Sequence, residues 1–186
     1  PVNAAPFTYS DGPVEEYIAE VVANAHDCSV LSLELMRGIR DWPSLYHLSY
    51  CRSFLLRPLR RLLQGRTVLE LGAGCGALTR YLGETAGRVT ALEGSPRRAG
   101  ITASRCRDLA NVTIVNDTIQ DLELDEKFDV VTLIGVLEYA RTFGPKVKKP
   151  EAALLAAASS FLKPGGHLLL AIENQLGLKY FAGARE

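Results

Sequence analysis

The chain has 186 residues, the size of one domain, and 47% of them are apolar, which is enough to build a substantial core. Lysine plus arginine and aspartate plus glutamate both number 21, so no net charge favours nucleic acid or an anionic membrane as a partner. No apolar run reaches the roughly 18 to 20 residues of a membrane span. The four scattered cysteines form no Cys-x-x-Cys pair. We therefore expect one globular, cytoplasmic protein with reduced thiols and no metal site.

The first third of the chain has the apolar spacing of helices. Helices are predicted over 13–25, from about 27 or 29 to about 38–42, and from 44 to 63 with a disturbance at Pro58. We therefore predict that residues 1–64 form a helical extension or cap. Four arginines are interleaved with its leucine stripe, which favours a solvated helix face over phosphate binding; they are Arg52, Arg57, Arg60 and Arg61.

From residue 66 onward, strand and helix patterns alternate. Strands are predicted over 66–71, 88–93, 111–116, 128–134 and 167–173, and helices over 76–86, 95–109 and 151–163, the last stopped by Pro164-Gly165-Gly166. Strands rich in valine, isoleucine and leucine without polar alternation are buried on both faces. The fold class is therefore α/β, with a doubly wound, mostly parallel sheet whose ligands bind at the carboxyl ends of the strands.

A glycine-rich turn follows the first predicted strand. Gly72, Gly74 and Gly76 come directly after the strand residues 67–71, and an amphipathic helix pattern begins at once. Glycine permits a tight turn and lets a ligand approach the backbone at a helix N-terminus. The sequence therefore predicts a nucleotide-binding turn. Because Gly72-x-Gly74-x-x-Ala77 also satisfies the dinucleotide pattern, NAD remains a possible ligand of this turn.

An acidic residue, Glu93, ends the second predicted strand, 17 residues after Gly76. A carboxylate at this place accepts hydrogen bonds from both ribose hydroxyls of a bound nucleoside. The alternative interpretation is a solvated carboxylate that caps the next helix.

Five segments in this order and spacing resemble class I S-adenosylmethionine-dependent methyltransferases over about residues 66–175. They are Val-Leu-Glu-Leu-Gly-Ala-Gly-Cys-Gly, Ala-Leu-Glu-Gly-Ser, Asn-Asp-Thr-Ile-Gln-Asp-Leu, Phe-Asp-Val-Val-Thr-Leu-Ile-Gly-Val-Leu-Glu-Tyr and Leu-Lys-Pro-Gly-Gly-His-Leu-Leu-Leu. The resemblance implies a Rossmann-like fold in which residues 65–186 bind the cofactor. This domain would be C-terminally incomplete, because the family's sheet has two further strands. Segments 135–140 and 171–183 also resemble bacterial methyltransferase domains associated with surface-polysaccharide glycosyltransferases.

The resemblance implies a role for each strand end. Glu70, Gly72, Ala73, Gly74 and Gly76 would surround the methionine part of S-adenosylmethionine, Glu93 and Gly94 the ribose, Asp117, Thr118 and Ile119 the adenine, and Ile134 and Gly135 the sulfonium. Glu70 would lie near the cofactor's amino group or shape the loop.

The same edge of the sheet would hold the methyl acceptor. The candidate catalytic residues are Glu138, Tyr139, Glu173 and Asn174. No Asn-Pro-Pro-Tyr or Asp-Pro-Pro-Tyr follows the fourth strand, which favours an oxygen atom of a small molecule or glycan over the amino group of a base or glutamine. Two alternatives stay open: an NAD-dependent oxidoreductase, and a non-catalytic cofactor-binding platform.

Overall fold

The computed structural model describes residues 12–173 and 177–183. Its first part is helical. The α-helices are α1 (Pro13–Asn24), α2 (Leu33–Arg37), α3 (Trp42–Leu48) and α4 (Arg60–Leu63), with 3-10 helices at Tyr50–Leu55 and Arg57–Leu59. These elements precede the first strand, as the sequence predicts for the extension.

The second part is a five-stranded sheet with helices between the strands. Its elements are β1 (Thr67–Leu71), α5 (Ala77–Thr85), β2 (Arg88–Leu92), α6 (Pro96–Arg105), β3 (Val112–Val115), β4 (Phe128–Ile134), a 3-10 turn (Leu137–Tyr139), α7 (Ala140–Phe143), α8 (Pro150–Ser160), β5 (Leu162–Ala171) and α9 (Leu178–Phe181). The order is β3-β2-β1-β4-β5, and every pairing is parallel. The predicted α/β fold with a doubly wound parallel sheet is confirmed.

The core lies on both faces of the sheet because successive strand residues point to opposite sides. Val68 and Val130 pack on one face with Leu82 of α5 and with apolar residues of the helical extension. On the other face, Leu69 packs with Leu154 of α8. Burial on both faces explains why these strands read as continuous apolar runs.

The first residues of the second and third helices differ from those predicted, because capping side chains fix where each helix begins. α2 begins only at Leu33, because the Ser32 side chain accepts the N–H of Leu35 at 3.1 Å and caps the helix there. α3 begins at Trp42 rather than at residue 44, with Pro43 in its first turn, where proline is tolerated. Asp41 caps that helix.

The fifth strand begins earlier than predicted. Pro164, Gly165 and Gly166 lie inside β5 rather than only stopping the preceding helix. The pairing with β4 shifts register between Phe128 and Val130, which face Leu162 and His167. A bulge of this kind accommodates residues that regular pairing would exclude.

The part of the chain that the structure describes has neither a membrane-spanning helix nor a metal-binding cluster. None of its helices has both the length and the apolar character required to cross a membrane. Nor do residues 12–173 and 177–183 contain a cluster of three or more His, Cys, Asp or Glu side chains that could hold a metal ion.

Candidate functional site

The turn between β1 and α5, residues 72–76, contains three glycines. Gly72 and Gly74 have φ of +82° and +58°, a region that other residues rarely adopt. A Cβ on Gly72 would lie 2.4 Å from Cγ2 of Val136, so packing also excludes a side chain there. A Cβ on Gly74 would have no neighbour within 4 Å. The turn is therefore packed at its start and open at its centre.

The first three backbone N–H groups of this turn form hydrogen bonds within the protein. Those of Gly72 and Ala73 both donate to the carbonyl of Leu92 at 2.9 Å, and that of Gly74 donates to the Glu93 carboxylate at 2.7 Å. A pyrophosphate is normally held by such N–H groups at the start of a helix. Because these three are already bonded to the end of β2, the turn is poorly suited to a phosphate.

Glu93 is buried, with 5% of its surface exposed. Its carboxylate accepts the N–H of Gly74 and, at 2.9 Å, the N–H of Ser95. Burial raises the pKa of this carboxyl, although the two hydrogen bonds oppose the shift. The interpretation as a solvated cap is therefore wrong. Each oxygen keeps a further lone pair for a ligand hydroxyl. The adjoining Gly94 carbonyl and that of Glu93 accept the Asn116 side-chain amide.

Glu70 lies at the end of β1 and is also buried, with 3% of its surface exposed. Its carboxyl accepts the hydroxyl of Thr79 at 2.6 Å, which ties β1 to the first turns of α5. Burial raises the pKa of Glu70 to about 8, and the nearby charge of Glu93 acts in the same direction. Both of its predicted roles, near the cofactor's amino group or in shaping the loop, stay predictions.

The predicted adenine residues lie beyond the end of β3, beside Glu93. The Asp117 carboxylate accepts the N–H of Thr118 at 2.7 Å, and the Thr118 hydroxyl donates to Asp121 at 2.6 Å. Ile119 packs against the core. These contacts give the segment a defined shape at the same edge of the sheet.

The end of β4 brings the predicted sulfonium and acceptor residues together. Gly135 has φ of +68°, and its N–H donates to the carbonyl of Ala171 at 2.9 Å. Glu138 Oε1 lies 3.9 Å from the position that a Cβ on Gly135 would take. Glu138 and Tyr139 are both exposed in the 3-10 turn that follows. A carboxylate therefore faces solvent next to the end of β4.

Glu173 lies two residues beyond β5, the strand that pairs with β4, and is exposed. Because parallel strands end at the same edge of the sheet, Glu173 lies at the same edge as Glu138. Asn174 lies outside the described residues.

The structure also brings in Tyr46 and Arg52, which the sequence does not indicate as site residues. The Tyr46 hydroxyl lies 3.6 Å from the Cβ position of Gly135. The guanidinium carbon of Arg52 lies 4.0 Å from the centroid of the Tyr46 ring. Arg52 belongs to a 3-10 helix with three residues per turn, so the α-helical spacing used for its prediction does not apply. Arg57, Arg60 and Arg61 are exposed, as expected.

Arg105 joins the helical extension to the glycine-rich turn. It is 2% exposed, and its Nη1 donates to the carbonyl of His47 at 2.6 Å and to that of Cys75 at 3.4 Å. Burial lowers the pKa of this guanidinium. Ile18 of α1 and Leu48 of α3 share a core with Cys75. The extension is therefore packed directly against the turn.

Comparison with known proteins gives a family. A family model described as "Methyltransferase domain" matches residues 69–168. The demethylmenaquinone methyltransferase of Tropheryma whipplei (strain Twist) is 34% identical over 107 residues, which are 57% of this chain and 41% of that protein. The cypemycin N-terminal methyltransferase of a Streptomyces species is 34% identical over 110 residues, 59% of this chain and 43% of that protein. The chain thus spans about two fifths of the length of these relatives.

Solved structures with a similar fold include two methyltransferases. The N-methyltransferase NodS of Bradyrhizobium japonicum, in complex with S-adenosyl-L-homocysteine, aligns with a TM-score of 0.57 at 20% identity, covering 84% of this chain and 71% of that chain. The amino pentose methyltransferase CalS10 of Micromonospora echinaspora, with S-adenosylmethionine bound, aligns with a TM-score of 0.51 at 25% identity, covering 67% and 48%. Neither match supports the oxidoreductase or platform alternatives. Since the family match runs from β1 into β5 and so includes every strand of the parallel sheet, the chain belongs to the class I S-adenosylmethionine-dependent methyltransferases.

Proposed function

We propose that this chain binds S-adenosylmethionine at the carboxyl edge of its sheet and transfers the methyl group to a small molecule or sugar. The observation that carries the proposal is the buried carboxylate of Glu93, held by the N–H groups of Gly74 and Ser95. Glu93 follows β2, the neighbour of β1, and its bond to Gly74 links it to the turn after β1. The strand order reverses between β1 and β4, which is where α/β sheets bind ligands.

The polar groups at this edge fit the cofactor. S-adenosylmethionine supplies an activated methyl group on a positively charged sulfonium and carries no phosphate. Glu70 and Glu93 place two carboxyl groups beside the turn, and the N–H groups of residues 72–74 are already bonded within the protein. This arrangement favours S-adenosylmethionine over NAD, whose pyrophosphate needs free N–H donors.

Each strand end then has a proposed task. Glu70, Gly72, Ala73, Gly74 and Gly76 hold the methionine part, Glu93 and Gly94 the ribose, Asp117, Thr118 and Ile119 the adenine, and Ile134 and Gly135 the floor beside the sulfonium. Glu93 retains lone pairs for the ribose hydroxyls. The open space at Gly74 supports close approach of the ligand to the backbone.

The acceptor is proposed to lie beside Glu138, Tyr139 and Glu173, with Asn174 as a further candidate. Holding an acceptor in line with the methyl group can lower the barrier by about 7 to 11 kcal/mol. A hydroxyl acceptor also benefits from a general base, and the exposed carboxylate of Glu138 is suited to that task. We propose oxygen as the acceptor atom because the segment after β4 lacks Asn-Pro-Pro-Tyr.

The helical residues 1–64 are proposed to act as a cap on the cofactor-binding residues 65–186. Arg105 supports this assignment through its bonds to the carbonyls of His47 and Cys75. So does the position of the Tyr46 hydroxyl near Gly135.

Calorimetric titration of the chain with S-adenosylhomocysteine, with NAD as a parallel control, tests the proposed cofactor. We expect saturable one-to-one binding of the first and no binding of the second. Binding of NAD alone would overturn the proposal, and so would failure of the folded chain to bind S-adenosylhomocysteine. If the cofactor binds, methyl transfer from radiolabelled S-adenosylmethionine to pooled hydroxyl and amine acceptors tests the choice of oxygen.

A further inference from the structure

The helical extension brings a cation to the proposed cofactor site. Arg52 lies in the 3-10 helix Tyr50–Leu55, and its guanidinium stacks over the ring of Tyr46 at 4.0 Å. The hydroxyl of the same tyrosine reaches to 3.6 Å from the Cβ position of Gly135 at the end of β4. The stacked pair therefore borders the end of β4, next to the point where the strand order reverses.

The positive charge of Arg52 also affects the end of β1. Burial raises the pKa of Glu70 at the end of β1, and the positive charge of Arg52 opposes that increase. The charge of Arg52 therefore reaches the end of β1, while the hydroxyl of its ring partner borders the end of β4.

Arg52 has no anionic partner among the residues that the structure describes. Within these residues its guanidinium stacks on the Tyr46 ring. Arg80 is paired with Asp108 and Glu84, and Arg98 with Glu15. Arg105 is fully buried and donates to the carbonyls of His47 and Cys75. A guanidinium carries five N–H donors in a planar fork that matches a carboxylate. Arg52 is half-buried and keeps these donors available.

We propose that Arg52 binds the α-carboxylate of the amino-acid end of S-adenosylmethionine, with Tyr46 holding the guanidinium in place. This inference rests on the proposed function of the site. It gives the cofactor's carboxylate a cationic partner, which neither Glu70 nor Glu93 can supply. The helical extension then contributes directly to cofactor binding.

Two probes separate this contact from the rest of the site. S-adenosylhomocysteine carries the α-carboxylate, whereas 5′-methylthioadenosine has the same nucleoside and thioether without the amino-acid end. We expect Arg52→Gln to weaken binding of S-adenosylhomocysteine by about tenfold to a hundredfold and to leave that of 5′-methylthioadenosine unchanged. Arg52→Lys, which keeps the charge but not the fork, should give a smaller loss.

Arg40→Gln is the matched control, because Arg40 is also stacked on a tyrosine, at 3.4 Å from the Tyr17 ring centroid. It should leave both affinities unchanged. Circular dichroism identifies any variant that fails to fold, and Arg52→Lys then provides the comparison.

An unchanged affinity of Arg52→Gln for S-adenosylhomocysteine would overturn the assignment, and so would an equal loss for both probes, which would indicate a structural role. If the unaltered chain binds S-adenosylhomocysteine, these results count against Arg52 alone and the proposed function stands. If the unaltered, folded chain binds neither probe, the proposed function itself fails.

Discussion

Replacing Glu70 by glutamine tests the electrostatics of the buried carboxyl group at the end of β1. Burial raises the pKa of Glu70 from its ordinary value of 4.5 to about 8 in the folded protein. A raised pKa means that the folded state holds this proton more tightly than the unfolded state does. The stabilisation from this group is therefore complete below pH 4.5 and is lost as the pH rises through 8.

The size of the effect follows from the two pKa values. One pKa unit corresponds to about 1.36 kcal/mol, so the whole shift corresponds to about 5 kcal/mol. At pH 6 the folded carboxyl is almost entirely protonated, and at pH 9 it is mostly ionised. The contribution of Glu70 to the free energy of unfolding should therefore fall by about 3 kcal/mol between these two pH values.

Urea unfolding of the unaltered chain and of Glu70→Gln at pH 6 and pH 9 measures this contribution. Glutamine does not titrate, and its amide oxygen can still accept the Thr79 hydroxyl. Groups that titrate in both proteins cancel in the difference. We expect Glu70→Gln to gain about 3 kcal/mol relative to the unaltered chain on going from pH 6 to pH 9. Parallel changes in the two proteins would refute the reasoning, because Glu70 would then not be held protonated by burial.

Four further substitutions probe the turn and its anchors. Glu93→Ala should weaken S-adenosylhomocysteine binding by about tenfold to a hundredfold in calorimetry, and an unchanged affinity in a folded variant would remove the ribose assignment. Gly72→Ala should lower the free energy of unfolding in urea by more than about 2 kcal/mol, since it adds a clash with Val136 to the unfavourable φ. Gly74→Ala should lower it by only about 1 kcal/mol. Equal losses would contradict this difference in packing. Thr102→Val removes the 2.8 Å hydrogen bond from the Thr102 hydroxyl to the Gly74 carbonyl. It should lower the free energy of unfolding by about 1 to 3 kcal/mol in the same assay. An unchanged free energy would mean that this bond does not hold the turn.

Local signals in the sequence were sufficient for most elements of the α/β unit. The predicted strand 128–134 is Phe128–Ile134 in the structure, and the other predictions from 66 to 134 agree within a few residues at each end. The helices predicted over 95–109 and 151–163 are α6 and α8, and each begins with a proline in its first turn, where proline is tolerated. Buried parallel strands and helix starts have patterns that lie within a few consecutive residues, so a linear reading can find them.

Predictions failed where a distant contact decides the local structure. Pro164-Gly165-Gly166 is a strong stop signal for a helix, yet pairing with β4 draws these residues into β5 with a register shift. In the extension, leucine spacing predicted one long helix over 44–63, but the chain forms short α and 3-10 helices packed on the sheet. Tertiary packing overrides a weak helical preference in such short segments.

The parallel sheet, the glycine-rich turn and the acidic residue at each of the first two strand ends could be predicted, because each has a signature of adjacent residues. The contacts of those groups depend on how the chain packs. Glu93 accepts the N–H of Gly74, 19 residues away along the chain, and Arg105 reaches the carbonyl of His47 across 58 residues. The position of Arg52 over Tyr46 likewise depends on how the extension packs. Burial, pKa and hydrogen-bond partners arise from contacts between distant parts of the chain, and no local pattern encodes them.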